Sequence, residues 1–190
     1  MKQARDVWLV RFGNIKLDDL VFIDEFGAST NMTRTRARGP RGRRIVCKTP
    51  HGHWKILSTI AALTSRGILT GCTFDGATDT EMFVAFVEQF LVPKLRAGQV
   101  VVLDNLSAHK SPRVEALIAS AGAQVLYLPP YSPDYNPIEM AISKMKALLR
   151  KLARRSIDTL YEGIGQAMTS ITAQDAIGFI RHCGYSAMEA

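Results

Sequence analysis

Three acidic residues stand out by the company they keep. Asp24 closes the apolar run LVFID (Leu20–Asp24), Asp104 closes VVVLD (Val100–Asp104), and Glu139 follows the turn-rich stretch PPYSPDYNP by one isoleucine. Carboxylates brought within a few ångströms of one another repel unless a cation neutralises them. Mg²⁺ does this readily, since it prefers a few carboxylates plus waters and phosphate oxygens to a complete protein cage. Two aspartates and a glutamate would hold two such ions, Mg²⁺ or Mn²⁺. Taken singly, each acid has a plainer role: an aspartate is a common cap or turn former, and N-P-I-E is itself a capping box. Two features argue for the joint reading. The 34 residues between Asp104 and Glu139 are enough for a helix, a strand and a turn. Glu139, Ser143, Lys146 and Arg150 also share one helical stripe, about 100° from the apolar one. Cations beside metal-binding carboxylates suit a phosphodiester.

The charge distribution points the same way. The 190-residue chain carries 24 Lys and Arg against 17 Asp and Glu, a formal charge of +7. The excess is clustered. Between Phe26 and Phe74 there is no acid, but Arg34, Arg36, Arg38, Arg41, Arg43, Arg44, Lys48, Lys55 and Arg66 are all present. Between Lys144 and Arg155 six of twelve residues are basic and none is acidic. A solvated surface normally interleaves both signs, whereas single-sign blocks favour a polyanion. Nucleic acid is the expected partner. No apolar run approaches the ~18 residues of a membrane span, and the N-terminus lacks a signal-peptide core. Three widely spaced cysteines, Cys47, Cys72 and Cys183, suggest a reduced, cytoplasmic setting.

The elements that must position these residues follow from period and punctuation. Leu20–Asp24 and Val100–Asp104 read as buried strands, as does Gln124–Leu128. Trp54–Leu63 and Ile68–Phe74 flank Thr64–Gly67 as a hairpin. The Gly-, Pro-, Thr- and Arg-rich stretch before it has no apolar period and reads as a long loop or weak hairpin. Thr78 with Glu81 predicts a capping box ahead of a helix over Met82–Leu95, with Phe83, Phe86, Val87, Phe90 and Leu91 on its inner face. Ser111-Pro112 opens a helix that Gly122 stops. Asn136 caps, and Pro137 opens, a helix to about Arg154 whose apolar positions Ile138, Ile142, Met145, Leu149 and Leu152 step by four and three. Helices near Asp158–Ser170 and Ala173–Cys183 close the chain. The order β-β-β-α-β-α-β-α-α predicts an α/β domain with a mixed five-stranded sheet and helices on both faces. Right-handed crossovers would set the Asp104 strand parallel and next to the Asp24 strand. That is the ribonuclease H-like order, and it would bring all three acids beyond the carboxyl ends of the strands.

Four motifs in order, VFIDE (Val21–Glu25), GPRG (Gly39–Gly42), VVLDNLSAHK (Val101–Lys110) and LPPYSPDYNPIE (Leu128–Glu139), resemble the catalytic domain of DDE transposases of the mariner-like superfamily, in its bacterial insertion-sequence branch. The resemblance runs from about Leu20 to the C-terminus and includes the superfamily's 34-residue gap between second Asp and Glu. It implies that Asp24, Asp104 and Glu139 form a catalytic triad holding two Mg²⁺ or Mn²⁺ ions. One ion would activate water or a 3′-hydroxyl, and the other would stabilise the leaving oxygen of an in-line displacement at phosphorus. It implies further that Asn105, His109 and Asn136 support the triad or position substrate. The DNA-binding residues would be Arg34, Arg36, Arg38, Arg41, Arg43, Arg44, Lys48, Lys146 and Arg150. Partners would be double-stranded DNA, at element ends and target (commonly TA), and a second copy in a homodimer. The setting would be the bacterial nucleoid. Such proteins carry an N-terminal helix-turn-helix region, so residues 20–190 resemble the catalytic half and residues 1–19 a lead-in. The chain would then be either a second reading frame paired with a helix-turn-helix frame or a truncated copy.

Two competing readings follow. A truncated, non-catalytic derivative would keep the basic surface and regulate an intact transposase, and a general nuclease of the same fold would lack the YSPDYNPIE match. Among other residues, His51 and His53 read as a DNA-facing or surface pair rather than a zinc site. Glu25, Asp75 and Asp134 are alternative acids, with Glu25 expected on the strand face opposite Asp24. Trp8 and Trp54 read as packing residues.

Overall fold

The structure, a computed structural model, describes Trp8 and residues 15–106 and 109–185. The remaining lead-in residues lie outside the described ones. Five strands form one sheet in the order β3-β2-β1-β4-β5. These are β1 (Leu20–Ser29), β2 (Ile56–Thr64), β3 (Gly67–Asp75), β4 (Val100–Leu103) and β5 (Gln124–Tyr127). β1, β2 and β3 pair antiparallel, while β4 and β5 extend the sheet from β1 in parallel. This is the mixed ribonuclease H-like sheet the sequence predicts.

Alternation along β1 divides two cores, because successive strand side chains face opposite sides. Leu20, Phe22 and Phe26 join a core under three helices: α3 (Pro137–Leu152), α4 (Ile157–Thr169) and α5 (Ala173–His182). Val21 and Ile23 join the opposite core, under α1 (Thr80–Phe86) and α2 (Pro112–Ser120). The hairpin between β2 and β3 turns at Gly67, whose φ of +111° favours glycine. A Cβ there would also lie 2.6 Å from the Ile171 carbonyl oxygen.

Several local expectations are corrected. Strand β1 does not stop at Asp24 but continues to Ser29, because β2 still pairs with it through Ser29↔Ile56. β4 leaves β1 after Phe22↔Val102. Asp24 therefore marks where the parallel neighbour ends, not where its own strand ends. Asp79, not Thr78, caps α1, its carboxylate accepting from the Met82 N–H at 2.8 Å. The predicted single helix shifts to π-helical hydrogen bonding at Val87–Leu91, which brings Phe90 38% exposed and stacked on Phe86 rather than buried. Trp54 is exposed too, since β2 starts only at Ile56. Trp8 does pack in the core, and its Nε1–H donates to the Tyr185 hydroxyl at 3.0 Å. That hydroxyl in turn donates to the Tyr135 carbonyl at 2.7 Å, in the turn that launches α3.

Helix α3 lies across the β1 face through Ile138, Ala141, Ile142, Met145 and Leu149, all buried. Ile138, fully buried and next to Glu139, anchors the helix end that matters here. Ile138→Ala is expected to lower stability by about 2–5 kcal/mol, the range for truncating a buried aliphatic side chain. Urea denaturation measures it, and a loss within about 0.5 kcal/mol would mean that this end of α3 is not held by packing.

Candidate active site

The site lies where β4 and β5 end. The register Leu20↔Val100, Val21↔Val101, Phe22↔Val102, carried two residues further, sets Asp104 level with Asp24. From β5 the chain runs through the proline-rich turn into α3, whose first turn returns Asn136 and Glu139 to the same place. Asp24, Asp104, Asn105, Asn136 and Glu139 line one cleft of about 420 Å³. Its other wall is Leu128 and the Pro129–Pro133 turn, with Leu106 and Tyr131 exposed at the rim. Tyr131, at φ 55° and 90% exposed, carried no signal in the sequence beyond its place in a turn.

Each carboxylate is held differently. Asp24 Oδ1 accepts the Glu25 backbone N–H at 2.8 Å, and Oδ2 accepts from Asn136 Nδ2 at 2.9 Å. Burial, then the charge of Glu139, push its pKa up to about 7, with Glu25 and Asp104 adding repulsion and the backbone N–H opposing it. For Asp104, burial also acts upward, but hydrogen bonds from His109 and the Leu106 N–H outweigh it and hold the carboxyl below the ordinary value. Glu139 is exposed at the third position of α3. Among the described residues, no three His, Cys, Asp or Glu side chains already stand as a ready-made cage for one ion.

Asn136 departs from the expected cap. Its side chain makes no capping hydrogen bond and is spent on Asp24 instead. The residue is 2% exposed, and its Oδ1 is buried without a hydrogen-bond partner. His109 is 1% exposed and lies between two acids, Nδ1 at 2.5 Å from Asp104 Oδ1 and Nε2 at 2.7 Å from Glu25 Oε1. Burial alone would lower its pKa, but the two acids raise it to about 9. Glu25 does face away from Asp24, yet it reaches the site through this histidine, which its sequence position did not suggest.

The basic residues divide into two groups. The loop between β1 and β2, carrying Arg34, Arg36, Arg38, Arg41, Arg43, Arg44 and Lys48, has no regular structure, and these side chains are exposed. His51 and His53 are exposed on the same loop. Lys146 and Arg150 line a second cleft at the loop's root with Gly27, Ser29, Asn31 and Ile56, so the α3 stripe runs from Glu139 to the base of the basic loop. Three other cations of that stretch have structural partners. Lys144 pairs with Asp175 at 2.5 Å, and Arg154 donates to Gln166 at 3.3 Å. Arg155 donates to the Thr30 and Met32 carbonyls at 2.8 and 2.9 Å, tying the loop's root to the end of α3.

The profile of the DDE superfamily endonucleases matches residues 19–161, which span β1 through the first turn of α4 and include every acid of the cleft. This chain belongs to that family. No curated protein sequence matches it. Among solved structures it is similar to the Mos1 transposase paired-end complex with left transposon end, at TM-score 0.74 and 16% identity, covering 96% of this chain and 56% of that one. The pre-cleavage Mos1 transpososome matches at TM-score 0.76 and 14% identity, over 97% and 58% of the two chains. The catalytic domain of Mos1 mariner transposase matches at 0.67 and 15%, over 97% and 87%. The chain thus spans little more than half of the longer transposase chains, and at these identities the likeness establishes the fold. No helix among the described residues is long and apolar enough to cross a membrane.

Proposed function

We propose that this chain is the metal-dependent catalytic domain of a transposase, of the mariner-like bacterial insertion-sequence kind, that cleaves DNA at element ends and joins them to target DNA. The observation that carries this reading is the single cleft at the ends of β4 and β5, lined by Asp24, Asp104 and Glu139 together, in a DDE superfamily chain. Neighbouring folds support a DNA partner, since the Mos1 structures include DNA-end complexes, some with Mn and some with Mg.

The donor set fits such ions. All its charged donors are carboxylate oxygens, the chemistry suited to Mg²⁺ and Mn²⁺. Asp24, pushed up to about 7 by burial and then by the charges of Glu139, Glu25 and Asp104, is a carboxylate that a cation would stabilise. Asp24, Asp104 and Glu139 would hold the ions. When bound, two divalent ions would polarise the attacking water or 3′-hydroxyl and neutralise the leaving oxygen. The chain's other groups do the positioning. Asn136 orients Asp24 through its Nδ2. His109 fixes Asp104, and Asn105 lines the cleft beside it. Lys146 and Arg150 continue the track toward the basic loop, where a DNA backbone leaving the cleft would meet them.

The test is strand cleavage of a pre-nicked duplex in Mg²⁺ or Mn²⁺, with the chain joined to an end-recognising domain so that finding DNA is not limiting. Binding without cleavage under any divalent ion would favour the non-catalytic, regulatory reading. DNA affinity should also fall steeply with salt, by a log–log slope of about −0.9 for each phosphate contacted. Replacing Arg41, Arg43 and Arg44 by alanine should flatten that slope, by roughly 2.7 if each contacts one phosphate. All three are exposed on a loop without regular structure, so the fold should be unaffected. An unchanged slope would show that the loop faces away from DNA.

A further inference from the structure

The acid beside Asp24 has a role of its own. Glu25 points to the α1 side of the sheet, away from the cleft, where a carboxylate would ordinarily find only the apolar core around Phe83 and Val84. Its side chain is 18% exposed and lies against His109 Nε2 at 2.7 Å. The imidazole packs tilted against the Phe83 ring, at 4.1 Å between centroids and 31° between planes. Its other nitrogen meets Asp104 Oδ1 at 2.5 Å. The ring therefore spans the two carboxylates, one nitrogen set against each. Asp104 Oδ1 also accepts the Leu106 N–H at 3.0 Å, so two donors fix this oxygen and Oδ2 is left for the cleft.

We infer that Glu25 is a positioning residue for the site: held on the far face of β1, it orients His109, and through His109 it sets the rotamer and acceptor strength of Asp104. The Asp24–Glu25 dipeptide then serves both aspartates, Asp24 directly and Glu25 across 84 residues of chain through one ring. Outer groups that hold a ligating carboxylate in this way tune metal affinity, and their loss typically costs 10–100-fold. The inference rests on the reading of Asp104 as a metal-holding carboxylate.

The experiment uses the whole chain, with Mn²⁺ as the probe. Mn²⁺ affinity is measured by titration for wild type, Glu25→Ala, Glu25→Gln and Asp104→Asn, beside metal-free DNA binding and urea midpoints. Glu25→Ala should weaken Mn²⁺ by about 10–100-fold. Glu25→Gln, which keeps a hydrogen-bonding partner for Nε2 but not the charge, should restore part of the affinity. Metal-free DNA binding should change less than twofold in both. In metal-free protein labelled with ¹⁵N at histidine, His109 should show a slowly exchanging, downfield Nδ1–H signal. Glu25→Ala should shift that Nδ1 signal and move the Nε2 resonance. Wild-type Mn²⁺ affinity in Glu25→Ala, or an unmoved Nδ1 signal, would overturn the inference. Absence of Mn²⁺ binding in wild type, or binding that Asp104→Asn leaves unchanged, would instead remove the metal-site reading beneath it. If Glu25→Ala unfolds, Glu25→Gln carries the test, and full wild-type affinity with an unshifted Nδ1 signal there overturns the inference.

Discussion

Asp104→Asn is expected to reduce metal-dependent strand cleavage by roughly 10²–10³-fold or more, the scale on which removing one preorganised group from a transition state is felt. The substitution is nearly isosteric. Its amide oxygen can still accept from the Leu106 N–H and from His109 Nδ1, so the local structure has no reason to collapse. What changes is one negative charge at the end of β4, where a divalent ion would be held. DNA binding without metal should persist or tighten slightly, since a carboxylate facing phosphate has gone. The measurement is single-turnover cleavage of a pre-nicked duplex, with binding followed separately. Cleavage that survives undiminished would place the chemistry elsewhere in the molecule.

The parts of this site that the sequence displayed are those built on uniform apolar runs. LVFID and VVVLD read as buried strands because both faces of the sheet are covered, and the four-three step of α3 marked the helix that returns Glu139. Features that depend on competition between partners were hidden. Asn136 has the residue type of a cap, but its side chain turns Nδ2 to the carboxylate of Asp24, 112 positions away, and its Oδ1 makes no cap hydrogen bond. Strand β1 outruns its apolar run because pairing with β2 carries it through Glu25 and Gly27. The turn of π-helix that exposes Phe90 leaves no trace in the apolar period. Glu25 looked idle for the same reason. Period two puts it on the wrong face, and only the fold shows that a histidine reaches it there.

Asp24→Asn should separate the structural cost of the site from its cation. Asp24 is largely buried and sits among Glu139, Glu25 and Asp104, and burial first, then these charges, raise its pKa from 3.8 to about 7. Because the folded value lies above the unfolded one, this group's contribution to stability is present below about pH 4 and is lost as pH rises through about 7. At pH 8 the penalty is therefore fully developed, on the order of a few kcal/mol. Asparagine removes it. Its oxygen can still accept the Glu25 N–H, and its amide can donate to Asn136 Oδ1 if that side chain flips, which would give the orphaned acceptor a partner. The metal-free variant should accordingly melt at or above wild type. With a divalent ion the order should reverse. Wild type should gain about 2.7 kcal/mol at an ion concentration 100-fold above its dissociation constant. In a chain of this size that corresponds to roughly 5–10 °C. The variant should gain little, having lost the carboxylate that the cation relieves. Thermal unfolding at pH 8, with and without Mn²⁺, reads both effects. A variant that melts well below wild type without metal, yet responds to Mn²⁺ equally, would show that Asp24 is a structural residue and that no ion is held there.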